Sequence, residues 1–264
     1  MAHLPANYLA DWRDWHASRR AAAPFLASNV GTHWLGREPI ALPNLPGLWH
    51  AADAAPSNPK ALTATATGLP PDLAIRDKAG NPVAHDAVLE LIPGQDLWFG
   101  ELRARAVERP GAVAVRVFDP SAPAATGLTD IDTFPPDAAW VIEGRFSAAT
   151  REIDVDHVDG VSLQTEFAGR IEFELGGKPY ALAVTPLPEE FLAVFSDPTN
   201  GNETAQFRFL TVRKVEDAGS VTIDFNRAYL PPCALSDHYL CPMPPPTNRL
   251  DVPVRAGETW PRRH

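Results

Sequence analysis

Residues 170–184 read Arg-Ile-Glu-Phe-Glu-Leu-Gly-Gly-Lys-Pro-Tyr-Ala-Leu-Ala-Val and carry the clearest secondary-structure signal of the chain. Apolar side chains alternate with other residues on both sides of Gly176-Gly177. A period of two is typical of a strand with one buried face, and glycine supplies the positive φ that a tight hairpin turn needs. The stretch therefore predicts an antiparallel β-hairpin.

Short β-prone runs occur throughout the rest of the chain, and Pro, Gly, Asn and Asp separate them. Regular short strands with frequent turn residues favour a sandwich or a barrel over alternating βα units. Residues 121–137 leave a domain boundary open, but apolar Leu128, Ile131 and Phe134 favour a packed crossover within one domain. We therefore predict a mainly β fold, a single domain over 1–264 that forms a sandwich or a partly open barrel. The predicted strands outside the hairpin are 60–67, 73–76, 87–92, 97–106, 112–118, 140–146, 191–195, 205–212 and 220–225.

The two ends of the chain differ from this pattern. Residues 6–22 predict a helix, because Tyr8, Trp12 and Trp15 fall at positions i, i+4 and i+7. Such an aromatic stripe favours a helix packed onto the domain, and a partner-binding helix is the alternative. Residues 226–264 are rich in proline and predict a long C-terminal strap across the sheet.

Composition narrows the class of protein. Of the 264 residues, 45% are hydrophobic, and seven tryptophans favour a folded globule. The formal charge of −10 argues against nonspecific binding to nucleic acid or to an anionic membrane. The first residues lack the basic and apolar segments of an export signal, no apolar run reaches membrane-spanning length, and only two cysteines occur. We therefore expect a cytoplasmic protein.

The sequence gives little support for metal or cofactor chemistry. Cys233, His238 and Cys241 offer three soft ligands, whereas a structural zinc site usually has four. We expect no metal and no cofactor. A disulfide between the two cysteines stays open beside the favoured interpretation of two buried thiols.

Familiar catalytic motifs are also missing from the sequence. It contains no Gly-x-Ser-x-Gly elbow, no phosphate-binding glycine loop, no dinucleotide fingerprint and no His-Glu-x-x-His. His33 is the most conspicuous histidine, in a short strand-like run flanked by glycines. A lone histidine is more often a hydrogen-bonded structural residue than a ligand, but we retain His33 as a candidate for ligand binding.

A polar cluster is predicted where the last two predicted strands end. In the first of them Phe207 and Phe209 share one face, and Arg208 takes the other. In the second, Asp224 takes the face opposite Val221, Ile223 and Phe225, and Asn226 follows on the same face as Asp224. If the two strands pair with both apolar faces in the core, Arg208, Asp224 and Asn226 come together.

The C-terminal part also contains a specific set of short blocks. They are Asp224-Phe-Asn-Arg-Ala-Tyr229, Pro231-Pro-Cys-Ala234, Cys241-Pro-Met-Pro-Pro-Pro-Thr-Asn-Arg-Leu250 and Val254-Arg-Ala-Gly-Glu258. They resemble the signature of DUF1684, a family of uncharacterised bacterial proteins. Other blocks extend the resemblance over nearly the whole chain, among them Gly31-Thr-His-Trp-Leu35 and Asp197-Pro-Thr-Asn-Gly-Asn-Glu-Thr204. The resemblance implies no named activity.

The chain departs from the family pattern at two positions near the candidate site. Relatives tend to have glycines before the arginine that corresponds to Arg208, whereas Ala205-Gln-Phe207 stands here. They also tend to have a polar residue where Leu230 stands. The resemblance implies that Phe207 fills space that relatives leave open.

These observations leave three functions in view. The first is a small-molecule-binding protein that presents arginine forks to an anionic ligand. Its candidate ligand-binding residues are Arg208, Asn226, Arg227, Asn248, Arg249 and His33. The second is a metal-independent hydrolase with Asp224 or Glu203 as its base. The third is a structural or interaction protein whose polar cluster only fastens the strap.

Overall fold

The computed structural model describes residues 4–53, 62–85, 87–215 and 218–264. Contacts between Cα atoms divide the chain into two compact units. The first unit consists of Met1–Ala22 and Leu128–His264, and the second unit consists of Ala23–Gly127. We describe each unit by itself, and the single domain over 1–264 stays a prediction.

The second unit contains two antiparallel sheets, with strand orders β1-β9-β8-β7-β5 and β2-β3-β4-β6. Trp49 and Leu91 from one sheet lie in the same buried cluster as Val115 from the other, which is the arrangement of a sandwich. The predicted strand 60–67 lies partly outside the described residues. The elements of this unit are β1 (Asn29–Trp34), β2 (Ile40–Ala41), β3 (Leu48–Ala52), β4 (Thr63–Thr67), β5 (Ile75–Arg76), β6 (Val88–Leu91), β7 (Asp96–Phe99), β8 (Leu102–Arg109), β9 (Ala112–Phe118) and the short helix α2 (Pro123–Thr126).

The first unit is built on a six-stranded antiparallel sheet that forms a half barrel, with the order β15-β14-β13-β12-β11-β16. A separate two-stranded ladder joins β10 to β17. The strands are β10 (Leu128–Thr133), β11 (Val141–Asp156), β12 (Ser162–Leu175), β13 (Lys178–Pro186), β14 (Glu190–Phe195), β15 (Arg208–Arg213), β16 (Ala218–Asp224) and β17 (Glu258–Arg263). The mainly β class is confirmed.

The predicted hairpin is the pair β12–β13. Leu175 lies opposite Lys178, and the intervening Gly176 and Gly177 have φ values of 60° and 77°. Ile171 lies opposite Leu182, and both side chains are buried in the half-barrel core. The period-two pattern therefore identified the buried face correctly.

The N-terminal helix α1 (Ala6–Ala27) is five residues longer than the predicted 6–22. Ala21, Ala22 and Ala23 have the highest helix propensity, so the helix continues through them. Pro24 lacks a backbone donor but still accepts a hydrogen bond of 3.0 Å from the Ser28 amide. A proline this close to the helix end thus does not stop it at residue 22.

The aromatic face of α1 packs against the first unit, as the stripe predicts. The Tyr8 hydroxyl donates to the Asp224 carboxylate at 2.8 Å, and the Trp12 indole donates to the Asn226 carbonyl at 2.9 Å. One turn on, the His16 ring lies 3.2 Å from the Ile131 carbonyl. These polar tips orient the helix, while the rings supply apolar area.

The predicted pairing of the last two strands is wrong. β15 pairs with β14 and β16 pairs with β11, so the two strands lie at opposite edges of the sheet. Leu210 and Val212 of β15 lie in the core, which puts Arg208 on the core side. Phe209 faces the other way, against Tyr229 of the strap. Because the strap buries the outer face as well, alternation alone could not identify the core side.

The strap is less irregular than its proline content predicts. It follows the 3₁₀ turn Phe225–Arg227, contains the turns Pro232–Ala234 and Pro246–Asn248, and ends in β17, a strand that the sequence analysis did not predict. Its backbone pairs with β15 where the Phe209 amide donates to the Tyr229 carbonyl at 2.9 Å. Among the described residues no helix is long and apolar enough to cross a membrane.

Candidate functional site

Arg208 lies at the centre of a fully buried polar cluster in the first unit. Its side chain is 0% exposed and donates to the Asp197 carboxylate at 2.7 Å. It also donates to the backbone carbonyls of Val254, at 2.8 Å, and of Ala256, both in the strap. The ring of Phe195 lies 5.3 Å from the guanidinium carbon. These contacts fasten the strap to the half barrel.

Asp197 completes the cluster from the loop after β14. Its second oxygen accepts the amides of Thr199, at 2.9 Å, and of Val254, at 3.0 Å. Burial lowers the pKa of Arg208, and the carboxylate of Asp197 opposes that shift. Since this pair lies away from solvent, it cannot meet a ligand without breaking the bonds that hold the strap.

Asp224 belongs to a different cluster, on the opposite face of the sheet from Arg208. Val221 and Ile223 point into the core, so alternation turns Asp224 outward toward α1. There it accepts the Tyr8 hydroxyl and forms an ion pair of 3.3 Å with Arg227. The predicted convergence of residues 208 and 224 is therefore wrong, because it assumed that the last two strands pair.

Burial shapes the ionisation of this second cluster. It raises the pKa of Asp224, and the Tyr8 hydroxyl and Arg227 oppose that shift. Burial and the adjacent carboxylate also raise the pKa of Tyr8. Asn226 is 1% exposed, donates to the Tyr8 oxygen and exchanges two hydrogen bonds, of 2.9 and 3.0 Å, with the backbone of Asp137. Both the nitrogen and the oxygen of the Asn226 carboxamide are thus bonded within the protein.

Asn248 takes the place of a backbone pair in the sheet. Thr185 of β13 pairs with Leu192 of β14, and the same register, extended by two residues, would set Ala183 opposite Val194. Instead the Asn248 carboxamide accepts the Ala183 amide at 2.7 Å and donates to the carbonyls of Ala183, at 2.8 Å, and Val194, at 2.9 Å. This side chain therefore lies as a wedge between the two strands and forms the hydrogen bonds that their backbone groups need.

A third buried acid ties α1 to the strap. Glu258 is 0% exposed and accepts two hydrogen bonds from Arg19, at 2.9 and 3.1 Å. It also accepts the Leu230 amide at 2.7 Å. Apolar Leu230, which departs from the family pattern, is fully buried beside this bond.

The remaining candidates lie elsewhere. Glu203 forms a paired contact with Arg255, at 2.8 and 2.9 Å, which lowers the pKa of the Glu203 carboxyl. His33 belongs to the second unit, where its ring lies so close over Gly31 that an added Cβ there would be 2.3 Å from Nε2. The structure thus does not bring the predicted site residues into one cluster.

An open groove of about 800 Å³ lies beside the strap in the first unit. We call it the strap groove. Its walls are mainly apolar, and Trp260 and Met243 keep 40% and 39% of their surfaces exposed. Its lining residues are Val158, Ser196, Ala205, Gln206, Phe207, Pro231, Cys233, Ala234, Asp237, Met243, Pro244, Arg249 and Trp260.

Arg249 is the member of the predicted ligand-binding set that lines the strap groove. Its side chain is exposed, and among the described residues its guanidinium has no hydrogen-bond or ion-pair partner. The backbone on both sides is fixed, because the Ser196 amide donates to the Asn248 carbonyl at 3.0 Å and the Leu250 amide donates to the Ser196 carbonyl at 2.8 Å. Arg249 therefore offers a free fork of donors from a rigid position.

Phe207 also lines the groove and is 3% exposed. Its ring packs beside that of Phe209, with centroids 6.1 Å apart. The bulky residue that the family resemblance singled out thus forms part of the groove wall, and the groove stays open beside it.

No disulfide joins Cys233 to Cys241. Cys233 lines the strap groove and Cys241 is buried. A hydrogen bond with Cys241, together with burial, raises the pKa of the Cys233 thiol, which disfavours the nucleophilic thiolate. In the described part of the chain, no group of three His, Cys, Asp or Glu side chains is arranged to hold a metal ion.

The sequence analysis did not identify the side chains that bind the predicted site residues, or those that form the groove walls. Asp197 begins a turn and accepts the amide two residues on, a common use of aspartate that could have marked it as structural. Arg19 carries no local signal of its contact with Glu258, 239 residues away. Trp260 and Met243 lie within the proline-rich strap, where no periodicity indicates which side chains are exposed.

The fold and the clusters define a mainly β protein whose C-terminal strap is bonded over a half-barrel sheet. The sequence model described as "Protein of unknown function (DUF1684)" matches residues 126–259. The chain belongs to this family. The matched region contains the half-barrel sheet and most of the strap.

Two further comparisons add little. No curated protein matches the sequence. The chain is similar to the solution NMR structure of an uncharacterized protein from Haloarcula marismortui, with 28% identity and a TM-score of 0.42. That match covers 50% of this chain and 76% of the other.

Proposed function

We propose that the first unit binds a small monoanionic molecule with an apolar body in the strap groove. The observation that carries the proposal is the guanidinium of Arg249, which lies in the wall of an apolar groove and has no partner among the described residues. Small-molecule sites typically combine apolar walls with a few fixed polar groups in about 300–1,000 Å³. The groove, at about 800 Å³, has that size and composition.

The position of Arg249 favours binding, because its backbone is already fixed before a ligand arrives. Hydrogen bonds from Ser196 and to Ser196 hold the backbone on both sides of the arginine. A group that is fixed before the ligand arrives costs less conformational entropy on binding. The exposed ring of Trp260 and the side chain of Met243 then offer apolar surface to the ligand body.

Nearby and overall charge favour a single negative charge on the ligand. Asp237 also lines the groove, and the chain carries a formal charge of −10. Both oppose a multiply charged anion, whereas one carboxylate can pair with the Arg249 fork. We therefore favour a monocarboxylate over a phosphate ester.

The hydrolase alternative has no comparable observation in its favour. Asp224 and Glu203 both lie in the described part of the chain, and neither lines the strap groove. Asp224 is held by Tyr8 and Arg227, and Glu203 is held by Arg255. A base must reach the proton that it removes, so the groove alone supports binding better than catalysis.

A structural role is the second candidate for the buried clusters. Arg208 and Asn248 were both predicted to bind a ligand. Instead, Arg208 donates hydrogen bonds to the strap backbone and Asn248 donates to the sheet backbone. That bonding favours fastening of the strap as their task. A cytoplasmic location is part of the proposal, supported by the low number of cysteines, two in 264 residues. The bacterial source is an expectation from the family resemblance.

Calorimetric titration with octanoate tests the proposed groove, with 1-octanol as the uncharged analogue. We expect Arg249→Gln to weaken octanoate binding by about tenfold or more, the usual effect of losing a charge-assisted hydrogen bond. The matched control is Arg213→Gln, which removes an exposed arginine at the end of β15, outside the groove. Equal affinity of wild type and Arg249→Gln, equal weakening by both variants, or absence of octanoate binding at millimolar concentration would reject the proposal.

A further inference from the structure

The second unit contains a cleft of its own, of about 780 Å³. We call it the aromatic cleft. Phe25, Trp98 and Phe118 form its aromatic walls, and Phe25 keeps 41% of its surface exposed. Arg103 and Glu101 supply its charged groups. All of these residues lie within Ala23–Gly127, so the cleft does not depend on the strap groove.

The guanidinium of Arg103 is held from several sides. Its Nε donates to the Asp96 carboxylate at 2.7 Å. Its central carbon lies 4.6 Å from the ring centroid of Phe25, 5.1 Å from that of Phe118 and 5.3 Å from that of Trp98. Cation–π contacts and one ion pair therefore fix the plane of the group before any ligand arrives.

The two terminal nitrogens of Arg103 remain available. Across residues 4–53, 62–85, 87–215 and 218–264, its recorded hydrogen bond is the one from Nε to Asp96, and neither terminal nitrogen has a protein acceptor. The side chain keeps 17% of its surface exposed, next to the cleft. Two parallel donors from one guanidinium match the two oxygens of a carboxylate.

Asp96 is shared between two arginines, so it does not neutralise Arg103 alone. Asp96 accepts Arg103 and, in addition, two hydrogen bonds from Arg105, at 2.8 and 2.6 Å. Burial acts to raise the pKa of Asp96, but the hydrogen bonds from Arg105 and Arg103 outweigh it, so this pKa lies below its ordinary value. One carboxylate between two guanidinium groups leaves one positive charge, and Glu101 at the cleft is the opposing group.

We propose that the aromatic cleft is a second binding site, for a small aromatic monocarboxylate. The carboxylate pairs with the terminal nitrogens of Arg103, and the flat ring lies against the walls formed by Phe25 and Trp98. Aromatic surfaces stack favourably with flat rings, and the cleft volume lies in the range typical of small-molecule sites. The strap groove should differ in the ligands that it binds, because aromatic rings surround Arg103 but not Arg249 among the described residues.

Titration with 1-naphthoate, followed by calorimetry, tests this site, and 1-naphthamide is the uncharged analogue. We expect Arg103→Gln to weaken 1-naphthoate binding by about tenfold or more. The matched control is Arg105→Gln, which removes the other guanidinium from Asp96 but lies outside the cleft lining. We expect Arg105→Gln to weaken binding less than Arg103→Gln does, because it removes one positive charge but no donor in the cleft lining. We expect Arg249→Gln in the strap groove to change the affinity by less than about twofold.

A second variant keeps the test independent of the stability of Arg103→Gln. Glu101 is exposed, and its change to Gln removes the opposing charge. We expect Glu101→Gln to strengthen 1-naphthoate binding and to leave 1-naphthamide binding unchanged. The proposal is overturned if Glu101→Gln has no effect, if Arg103→Gln binds as tightly as wild type, if Arg105→Gln weakens binding as strongly, or if 1-naphthoate does not bind at millimolar concentration.

Discussion

Arg208 and Arg249 lie 41 residues apart in the sequence and have opposite roles. Arg208 is 0% exposed and bonded to Asp197 and to two strap carbonyls, whereas Arg249 is exposed and without a partner among the described residues. Both were candidates for ligand binding because an arginine fork suits an anion. Burial, which the sequence does not give residue by residue, separates the structural arginine from the available one.

We expect Arg208→Met to destabilise the protein by about 3–5 kcal/mol, because it leaves the buried Asp197 charge without its partner. Urea unfolding measures the change. Arg213→Met, at the exposed end of the same strand, is the control and should change the unfolding free energy by less than about 0.5 kcal/mol. A loss below about 1 kcal/mol for Arg208→Met would show that the buried pair does not hold the strap.

At the scale of elements, a side chain forms hydrogen bonds that a backbone pair would otherwise form between two strands. Asn248 bonds to Ala183 and Val194 where β13 and β14 separate. A strap residue thereby completes the ladder of the half-barrel sheet. Sheet and strap are consequently one hydrogen-bonded structure in the first unit.

Asn248→Asp tests whether the Asn248 carboxamide holds β13 and β14 together through these hydrogen bonds. The new carboxylate cannot donate and faces the carbonyls of Ala183 and Val194, so we expect a loss of about 2–4 kcal/mol in unfolding free energy. Faster hydrogen exchange at the Ala183 amide should accompany the loss. Asn202→Asp, the same change at an exposed asparagine, is the control, and similar losses for both variants would contradict the wedge.

The contact between α1 and the strap can be measured with a double-mutant cycle. Arg19 and Glu258 share two hydrogen bonds, and the carboxylate is fully buried. We expect Arg19→Gln and Glu258→Gln to couple by about 1–3 kcal/mol in unfolding free energy. Coupling near zero would mean that the aromatic face holds the helix without this pair.

At the scale of the whole molecule, stability should depend on pH through Asp224. Its pKa is raised above the ordinary value of 3.8, mainly by burial. Its contribution to stability is therefore fully present below pH 3.8 and is lost as the pH rises through the folded-state pKa. We expect Asp224→Asn to gain stability relative to wild type across that window.

Urea unfolding at several pH values checks this sign. Asp251 provides the opposite case, because hydrogen bonds from Tyr180 and Lys178 lower its pKa. Relative to Asp251→Asn, wild type should gain stability as the pH rises through the folded-state pKa of Asp251 toward its ordinary value. An Asp224→Asn difference that is flat with pH, or that slopes the same way as for Asp251→Asn, would contradict the buried-acid interpretation.

Much of the fold could be predicted from local patterns, and the site could not. The hairpin at Gly176-Gly177 and the helix at Tyr8 depend on residues close in sequence, so periodicity found them. The strand partners of Arg208 and Asp224 depend on sheet order, which local alternation does not encode. Of the site, Arg249 was among the predicted residues, but the open walls at Trp260 were not foreseen.

The span between Tyr8 and Asp224 is 216 residues, and that between Arg19 and Glu258 is 239. During synthesis the helix leaves the ribosome more than 200 residues before its polar partners. Contacts so distant along the chain form late, after their closure entropy has been overcome. The apolar face of α1 thus stays uncovered until the strap has been translated, so slowing elongation between the codons of Asp224 and Glu258 should prolong its exposure to chaperones.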